Sequence, residues 1–291
     1  MTQAPMLQNS ILEGSSSPSA LEGSSAANAA MPTPALQVSQ LAFAYDKGRQ
    51  IFHDVSFSLQ PGEIMQILGA NGSGKSTLMN CLAHQLKPQQ GQILVESDEI
   101  SSLPREELAR RIAYVPQLQN NTCSFLVRDY VTMGRAPYLK MLAMPGKEEY
   151  ELADQALERL NITHLADKPL QQVSGGERQQ AQIARALVQQ SRIILFDEPT
   201  NHLDYGNQHR MLMLINSLAT EGYAVITTTH IPDSLLLTGG KVGIFQGGKF
   251  RFGAAEELIT SEALAEIYHI RAEVLYLETL GRKVCFCRAE Q

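Results

Sequence analysis

The chain has 291 residues, 44% of them hydrophobic and 19% charged, an ordinary globular composition with length enough for a large core. Its formal net charge of −6 argues against a nonspecific nucleic-acid binder, which depends on a basic surface. Trp is absent and no apolar run reaches the roughly 18–20 residues a membrane-spanning helix needs, so any membrane association is expected to run through a partner.

Residues 1–34 are rich in Ser, Ala, Gly and Pro. Such a stretch cannot bury enough surface to offset its ordering entropy, which predicts a disordered tail. It also lacks the basic start and apolar core of a signal peptide. Cysteines are too few and too scattered (Cys81, Cys123, Cys285, Cys287) for a disulfide framework, which points to a reducing compartment. The Cys285-Phe286-Cys287 triplet is not expected to hold a metal.

From Leu36 the texture changes. "LQVSQLAFAY" and "VSFSL" read as alternating strands, Pro61-Gly62 as a turn, and "IMQIL" (64–68) as a strand buried on both faces. Leu78, Leu82 and Leu86 then recur at helical spacing. Further buried-type runs are "QILV" (92–95), "IAYV" (112–115), "RIILF" (192–196) and "AVITTT" (224–229), with helical patterns between several of them. An α/β core with a largely parallel sheet is implied. Residues 118–173 show no central strand, while "KEEYELADQALERL" (147–160) reads helical with Leu152, Ala156 and Leu160 on one face, so this region is expected to be an inserted helical subdomain. In 258–291, "SEALAEIYHI" reads helical and "EVLYLE" strand-like, an appendage expected to have no chemistry of its own.

Between the first buried strand and its helix lies Gly69-Ala70-Asn71-Gly72-Ser73-Gly74-Lys75-Ser76-Thr77, which fits G-x-x-x-x-G-K-[ST]. Glycines let backbone N–H groups curl round phosphate oxygens, and the helix start adds positive potential. Lys75 would neutralise the β- and γ-phosphates and Ser76 would ligate Mg²⁺. "RIILFDEPT" brings Asp197 and Glu198 to the C-terminal end of a buried strand, where open α/β sheets place ligands. Alone the pair also fits a helix-capping Asp with a surface Glu. Beside the glycine-rich loop, Asp197 suits a Mg²⁺ contact through water, and Glu198 a general base or orienter of water. ATP-type nucleotides with Mg²⁺ are the expected ligands.

"SGGERQQAQIARA" (174–186) opens a second helix with Ser and two Gly, another anion-binding start in the same chain. Behind it, Ala181, Ala184, Leu187 and Val188 supply a buried face, whereas Arg178, Gln182, Arg185 and Gln189 read as a solvated one.

In order and spacing, the phosphate loop, "YVPQ" (114–117), "VSGGE" (173–177), the acidic strand, "NHLD" (201–204) and "TTTH" (227–230) resemble the nucleotide-binding subunit of ATP-binding-cassette (ABC) transporters over residues 36–257. The signature there usually begins with Leu, where this chain has Val173, and Glu177 stands where Gln is also common. The resemblance implies a P-loop NTPase core (ABC domain 35–257) with an N-terminal antiparallel β subdomain. It also implies roles. Tyr45 would stack on adenine, although a strand-edge core tyrosine fits the local pattern as well. Gln117 would reach the metal and the attacking water, and His230 the γ-phosphate. Leu203 and Asp204 would form a loop crossing a dimer interface. Ser174, Gly175, Gly176 and Glu177 would face the phosphate loop of a second copy, so that two subunits sandwich two ATP molecules head to tail. Two phosphate devices in one chain would then serve two different nucleotides.

No membrane segment is fused to the cassette, so a separate multispanning permease is implied, with a substrate-binding protein acting indirectly and the subunit lying on the cytoplasmic face of the inner membrane. "VRDYVTMGRAPYL" (127–139), "ALERLNI" and "NHLDYGNQ" are similar to the ATPases of iron–siderophore, haem and cobalamin importers, with molybdate importers close by. Residues 118–145 would dock a permease loop. The alternative is a soluble ABC ATPase of DNA repair or ribosomes, but those usually carry a coiled-coil insertion or a second cassette.

Overall fold

The computed structural model describes residues 33–45, 48–117, 124–201 and 203–287. The expected tail lies outside them except for Thr33 and Pro34, as do Cys123 and His202.

Two sheets organise the chain. The first is antiparallel: β2 (Arg49–Leu59), β1 (Leu36–Tyr45), β4 (Gln90–Val95) and the short β5 (Asp98–Glu99), in that spatial order. The second has six strands in the order β10 (Lys249–Ala254), β9 (Lys241–Gln246), β3 (Ile64–Leu68), β8 (Ala224–Thr229), β7 (Ile193–Phe196) and β6 (Ile112–Val115). Every pairing in it is parallel except the β9–β10 hairpin. That hairpin turns through Gly247-Gly248, both at positive φ (56° and 79°), as a two-residue turn matched to strand twist requires.

The central strands divide their side chains between two cores. On one face Met65, Ile67, Ile193, Leu195, Ala224 and Ile226 join residues of the antiparallel sheet and of helix α1 (Lys75–Leu82). On the other, Ile64, Ala113, Val115, Ile194, Phe196 and Val225 meet α3 (Val127–Thr132), α4 (Lys147–Arg159), α5 (Gly175–Val188) and α6 (Tyr205–Thr220). Burial on both faces is why these strands read as unbroken apolar runs. Helix α2 (Arg105–Arg111) precedes β6. A third core joins α7 (Pro232–Thr238), β9, α8 (Ala255–Leu258) and α9 (Ser261–Tyr268) through Leu235, Leu236, Ile244, Ile259, Leu264 and Ile267. The hairpin β11 (Ala272–Leu277)–β12 (Arg282–Cys287) follows.

Two sequence expectations need correction. "QILV" lies in β4, paired antiparallel with β1, not in the parallel sheet. Four apolar residues are too few to reveal a period, so the run could not be told from a central strand. The supposed solvated face of α5 is largely covered. Gln182 is buried, and Gln189 Nε2 donates to the carbonyls of Ala109 and, at 2.8 Å, Ile112. Arg185, although exposed, holds its guanidinium 5.0 Å above the Tyr130 ring.

Candidate functional site

Residues 69–77 bridge β3 and α1 at the C-terminal edge of the parallel sheet. Gly72 and Gly74 adopt positive φ (77° and 108°), and a Cβ on Gly74 would lie 2.8 Å from Ile51 Cγ2. Glycine is therefore obligatory there on both conformational and steric grounds. Helix α1 has no side-chain cap and no acidic residue in its first turn, leaving its leading N–H groups free to meet an anion. The Ser73 hydroxyl is buried and has no hydrogen-bond partner. An unpaired buried hydroxyl beside such a loop fits a site that takes polar oxygens from a ligand.

Lys75 is buried and donates to the carbonyls of Gly69 (2.8 Å) and Ala70 (3.2 Å), with Glu198 Oε1 at 3.8 Å. Burial pushes its ammonium below the ordinary lysine range, while Glu198 and Asp197 pull it back. The ammonium is thus held by groups that a triphosphate would replace.

Asp197 and Glu198 follow β7. Asp197 is buried among three hydroxyls: Thr228 Oγ1 donates to Oδ1 at 2.6 Å, Ser76 Oγ to Oδ1 at 3.3 Å and Tyr114 OH to Oδ2 at 3.4 Å. Burial, with the Asp197 charge second, raises the Tyr114 phenol well above its ordinary value, so it stays a donor at neutral pH. The Ser76 hydroxyl and the Asp197 carboxylate are hard oxygen donors set side by side, a donor set that fits Mg²⁺. Glu198 sits at φ 50° in the left-handed region, and its N–H donates to Thr228 Oγ1 at 2.8 Å. Its Oε2 accepts from Gln117 Nε2 at 3.3 Å and from Asn201 Nδ2.

An open cleft of about 770 Å³ gathers these groups. It is lined by Tyr45, Ile51, Asn71, Gly72, Gly74, Lys75, Ser76, Thr77, Gln117, Glu198, Asn201 and His230. Tyr45 is half exposed at the end of β1, its ring edge-on to Phe43 and its hydroxyl 3.4 Å from Thr77 Oγ1. The second reading of this tyrosine, as a core residue, does not match that exposure. His230 follows β8 and is exposed.

The other predicted group is elsewhere. Ser174 caps α5 in a reciprocal box: its N–H and hydroxyl both donate to Glu177 Oε2 at 2.8 Å, while Glu177 N–H donates to Ser174 Oγ at 3.3 Å. The Ser174 N–H, and then its hydroxyl, hold the Glu177 carboxyl below its usual range. Gly175 is exposed, and a Cβ on Gly176 would lie 3.5 Å from Leu203 Cδ2. Asp204 caps α6, accepting from Asn207 N–H at 2.8 Å and Nδ2 at 2.7 Å. Ser174, Gly176, Glu177 and Leu203 line a cavity of about 410 Å³ that shares no lining residue with the Lys75 cleft. One chain therefore brings Tyr45, Lys75, Ser76, Gln117, Asp197, Glu198 and His230 together, and holds Ser174 and its neighbours apart from them.

Sequence reasoning passed over Tyr114, Asn201 and Thr228, although each stands inside a quoted motif. Hydroxyls in a run buried on both faces were the available signal, because a buried polar group needs a partner. It also passed over Gln179, whose buried amide donates to the Pro199 carbonyl and ties the start of α5 to the loop after Glu198.

The family model described as ABC transporter matches residues 52–201. An uncharacterized ABC transporter ATP-binding protein of Haemophilus influenzae is 40% identical over 242 residues, covering 83% of this chain and 92% of its own length. The molybdate import ATP-binding protein of that organism is 36% identical, covering 81% and 88%. The hemin import ATP-binding protein of Bordetella pertussis is 34% identical, covering 83% and 95%. Among solved structures, a metal-chelate type ABC transporter in an inward-facing conformation is 33% identical with a TM-score of 0.78, over 88% of this chain and 98% of that one.

Proposed function

The chain belongs to the ABC transporter family as an ATP-hydrolysing subunit, and we propose that it powers import of a metal chelate of the iron–siderophore, haem or cobalamin kind through a separate permease. The observation that carries this reading is the pair of unshared cavities, one with the phosphate loop and Glu198, the other with Ser174 and Leu203. A nucleotide bound in the first needs a second copy to supply the second. Relatives named for hemin, iron chelatin and petrobactin transport support the cargo class. The molybdate relative, at 36% identity, keeps an oxyanion as the second reading.

In this reading Tyr45 stacks on the adenine and Gly69 to Thr77 wrap the phosphates, Lys75 exchanging its carbonyl partners for β/γ oxygens. Ser76, Asp197 and Gln117 would hold Mg²⁺, which when bound would neutralise charge on the phosphates. Glu198 takes up a proton from the attacking water or orients it, with Gln117 and Asn201 fixing its carboxylate. His230 contacts the γ-phosphate. Ser174, Gly175, Gly176 and Glu177 of the partner subunit close over that phosphate, and Leu203 and Asp204 form the crossing loop. Among the described residues no helix is long and apolar enough to cross a membrane, which fits a subunit peripheral to the cytoplasmic face of the inner membrane. Residues 118–145 would dock the permease, and a substrate-binding protein would act through that permease.

The test is ATP hydrolysis by the full chain, alone and with a permease in liposomes. Stimulation by the permease is expected, together with loss of hydrolysis by several orders of magnitude in Lys75→Ala. Permease-independent turnover in every reconstituted system would argue against the transport reading.

A further inference from the structure

Residues 258–291 were expected to have no chemistry of their own, yet Tyr268 among them bonds the backbone of His230. His230 leads directly into α7, and that junction is held from two sides. On the inner side, Ile231 N–H donates to Thr229 Oγ1 at 3.0 Å, and Thr229 Oγ1 lies 3.3 Å from Ser234 Oγ. Buried Gln66, in the middle of β3, reaches Thr238 Oγ1 and the Ser234 carbonyl. On the outer side stand residues of α9 and β12. Tyr268 OH donates to the His230 carbonyl at 2.9 Å. Arg282 forks onto Asp233, Nη1 to Oδ1 at 3.1 Å and Nη2 to Oδ2 at 3.3 Å. The Cys285 N–H donates to the same Oδ1 at 3.4 Å. Below these contacts, Leu235 and Leu236 of α7 pack with Leu264 and Ile267 of α9.

We infer that Tyr268 is a positioning residue for His230, and that the segment Ser261–Cys287 sets where that imidazole stands in the nucleotide cleft. The inference rests on the reading that His230 meets the γ-phosphate. Apart from the Arg282 and Cys285 ties on Asp233, the polar ties just described on residues 229–238 run through groups of β3, β8 or α7 itself. Tyr268 is the described residue whose side chain bonds the His230 backbone from outside. A hydrogen bond to the carbonyl of one residue restricts its ψ and so aims the histidine. Burial raises the Tyr268 phenol, so it remains a donor throughout the neutral range. The Arg282–Asp233 fork holds the first turn of α7 in the same frame, and a bidentate pair fixes orientation as well as distance. The segment thus has no reacting group of its own and acts by geometry.

A double-mutant cycle on kcat of the full chain tests this. Tyr268→Phe removes one hydroxyl and keeps the ring packed, so melting temperature and the KM for ATP are expected to stay near wild type. Its kcat is expected to fall about three- to tenfold, the scale of one lost hydrogen bond. In a His230→Ala background the same substitution should change kcat by less than about 1.5-fold, because there is no imidazole left to aim. Asp233→Asn, which weakens the fork, should show the same dependence on His230. An undiminished effect of Tyr268→Phe in the His230→Ala background, or no effect in wild type, overturns the inference while leaving the His230 assignment standing. Wild-type turnover in His230→Ala overturns both.

Discussion

Thr228 and Asp197 meet across neighbouring parallel strands, with Thr228 Oγ1 donating to Asp197 Oδ1 at 2.6 Å. The same oxygen accepts the N–H of Glu198 at 2.8 Å. One hydroxyl therefore fixes both carboxylate-bearing residues, and does so for a Glu198 backbone held at positive φ. Thr228→Val keeps the shape and removes the hydroxyl, leaving a buried carboxylate oxygen and a backbone N–H short of a partner. A loss of about 1–3 kcal/mol of stability is expected, read as a lower midpoint in urea, with kcat falling by about tenfold or more as the pair loses register. Turnover equal to wild type would show that the bridge is incidental to the site.

The helical region depends on a close approach at Gly134. A Cβ there would lie 2.2 Å from the Arg185 carbonyl oxygen and 2.5 Å from Val188 Cγ2, both on α5. The obstacle includes helix backbone, which cannot swing aside. Gly134→Ala is expected to cost about 1–3 kcal/mol by overpacking, lowering the melting temperature by about 3–10 °C for a chain of this size. Gly48→Ala is the control, since a Cβ there meets nothing within 4 Å. Equal melting temperatures for the two variants would mean that α5 yields more easily than this packing implies.

The phosphate loop and the acidic strand were legible because the residues that mark each lie within nine consecutive positions. Thr228 and Tyr268 were not, because their partners lie 31 and 38 residues away and only the folded sheet brings them together. Gln182 and Gln189 were misjudged for a related reason. Helical periodicity sorts residues by face, but α2 and β6, which cover that face, come from another part of the chain. β4 was misplaced because a short apolar run carries no information on the direction of its neighbour. Residue spacing thus located the candidate groups, while distant packing determined what holds them.

Separation of the two cavities makes Ser174 testable. It is exposed at the start of α5, and no residue of the Lys75 cleft lines its cavity. Ser174→Arg should leave ATP affinity of the isolated subunit within about twofold, since the proposed contact is made in trans. Loss of the cap costs about 1 kcal/mol of stability, a small part of the total for such a domain. ATP-driven dimerisation, measured by size exclusion with ATP and Mg²⁺, should disappear because bulk and charge occupy the sandwich. Normal dimerisation and hydrolysis in this variant would mean that Ser174 does not face a second nucleotide.

Glu198 offers the sharpest division between binding and chemistry. Its Oε1 lies 3.8 Å from Lys75 Nζ, and its Oε2 accepts from Gln117 and Asn201, so the carboxylate is aimed and only slightly exposed. With two amide donors on one oxygen, the other faces Lys75 and would meet a water at the γ-phosphate once that ammonium turns to the phosphates. Glu198→Gln preserves size and much of the hydrogen bonding but removes the charge proposed to take a proton from the attacking water or to orient it. Hydrolysis should fall by about 10²–10⁴-fold. Binding should survive, because Lys75, Ser76 and the loop N–H groups still face the phosphates. In the proposed head-to-tail pair, closure would follow nucleotide occupancy and reopening would follow hydrolysis, so the closed pair should accumulate in the variant. With ATP and Mg²⁺ it should elute as a homodimer, whereas wild type returns to monomer as ATP is consumed. Wild-type hydrolysis in Glu198→Gln would remove this residue from the catalytic step. Lost hydrolysis with a monomer throughout would keep the catalytic role and count against the head-to-tail sandwich, because a trapped nucleotide would then have failed to hold two copies together.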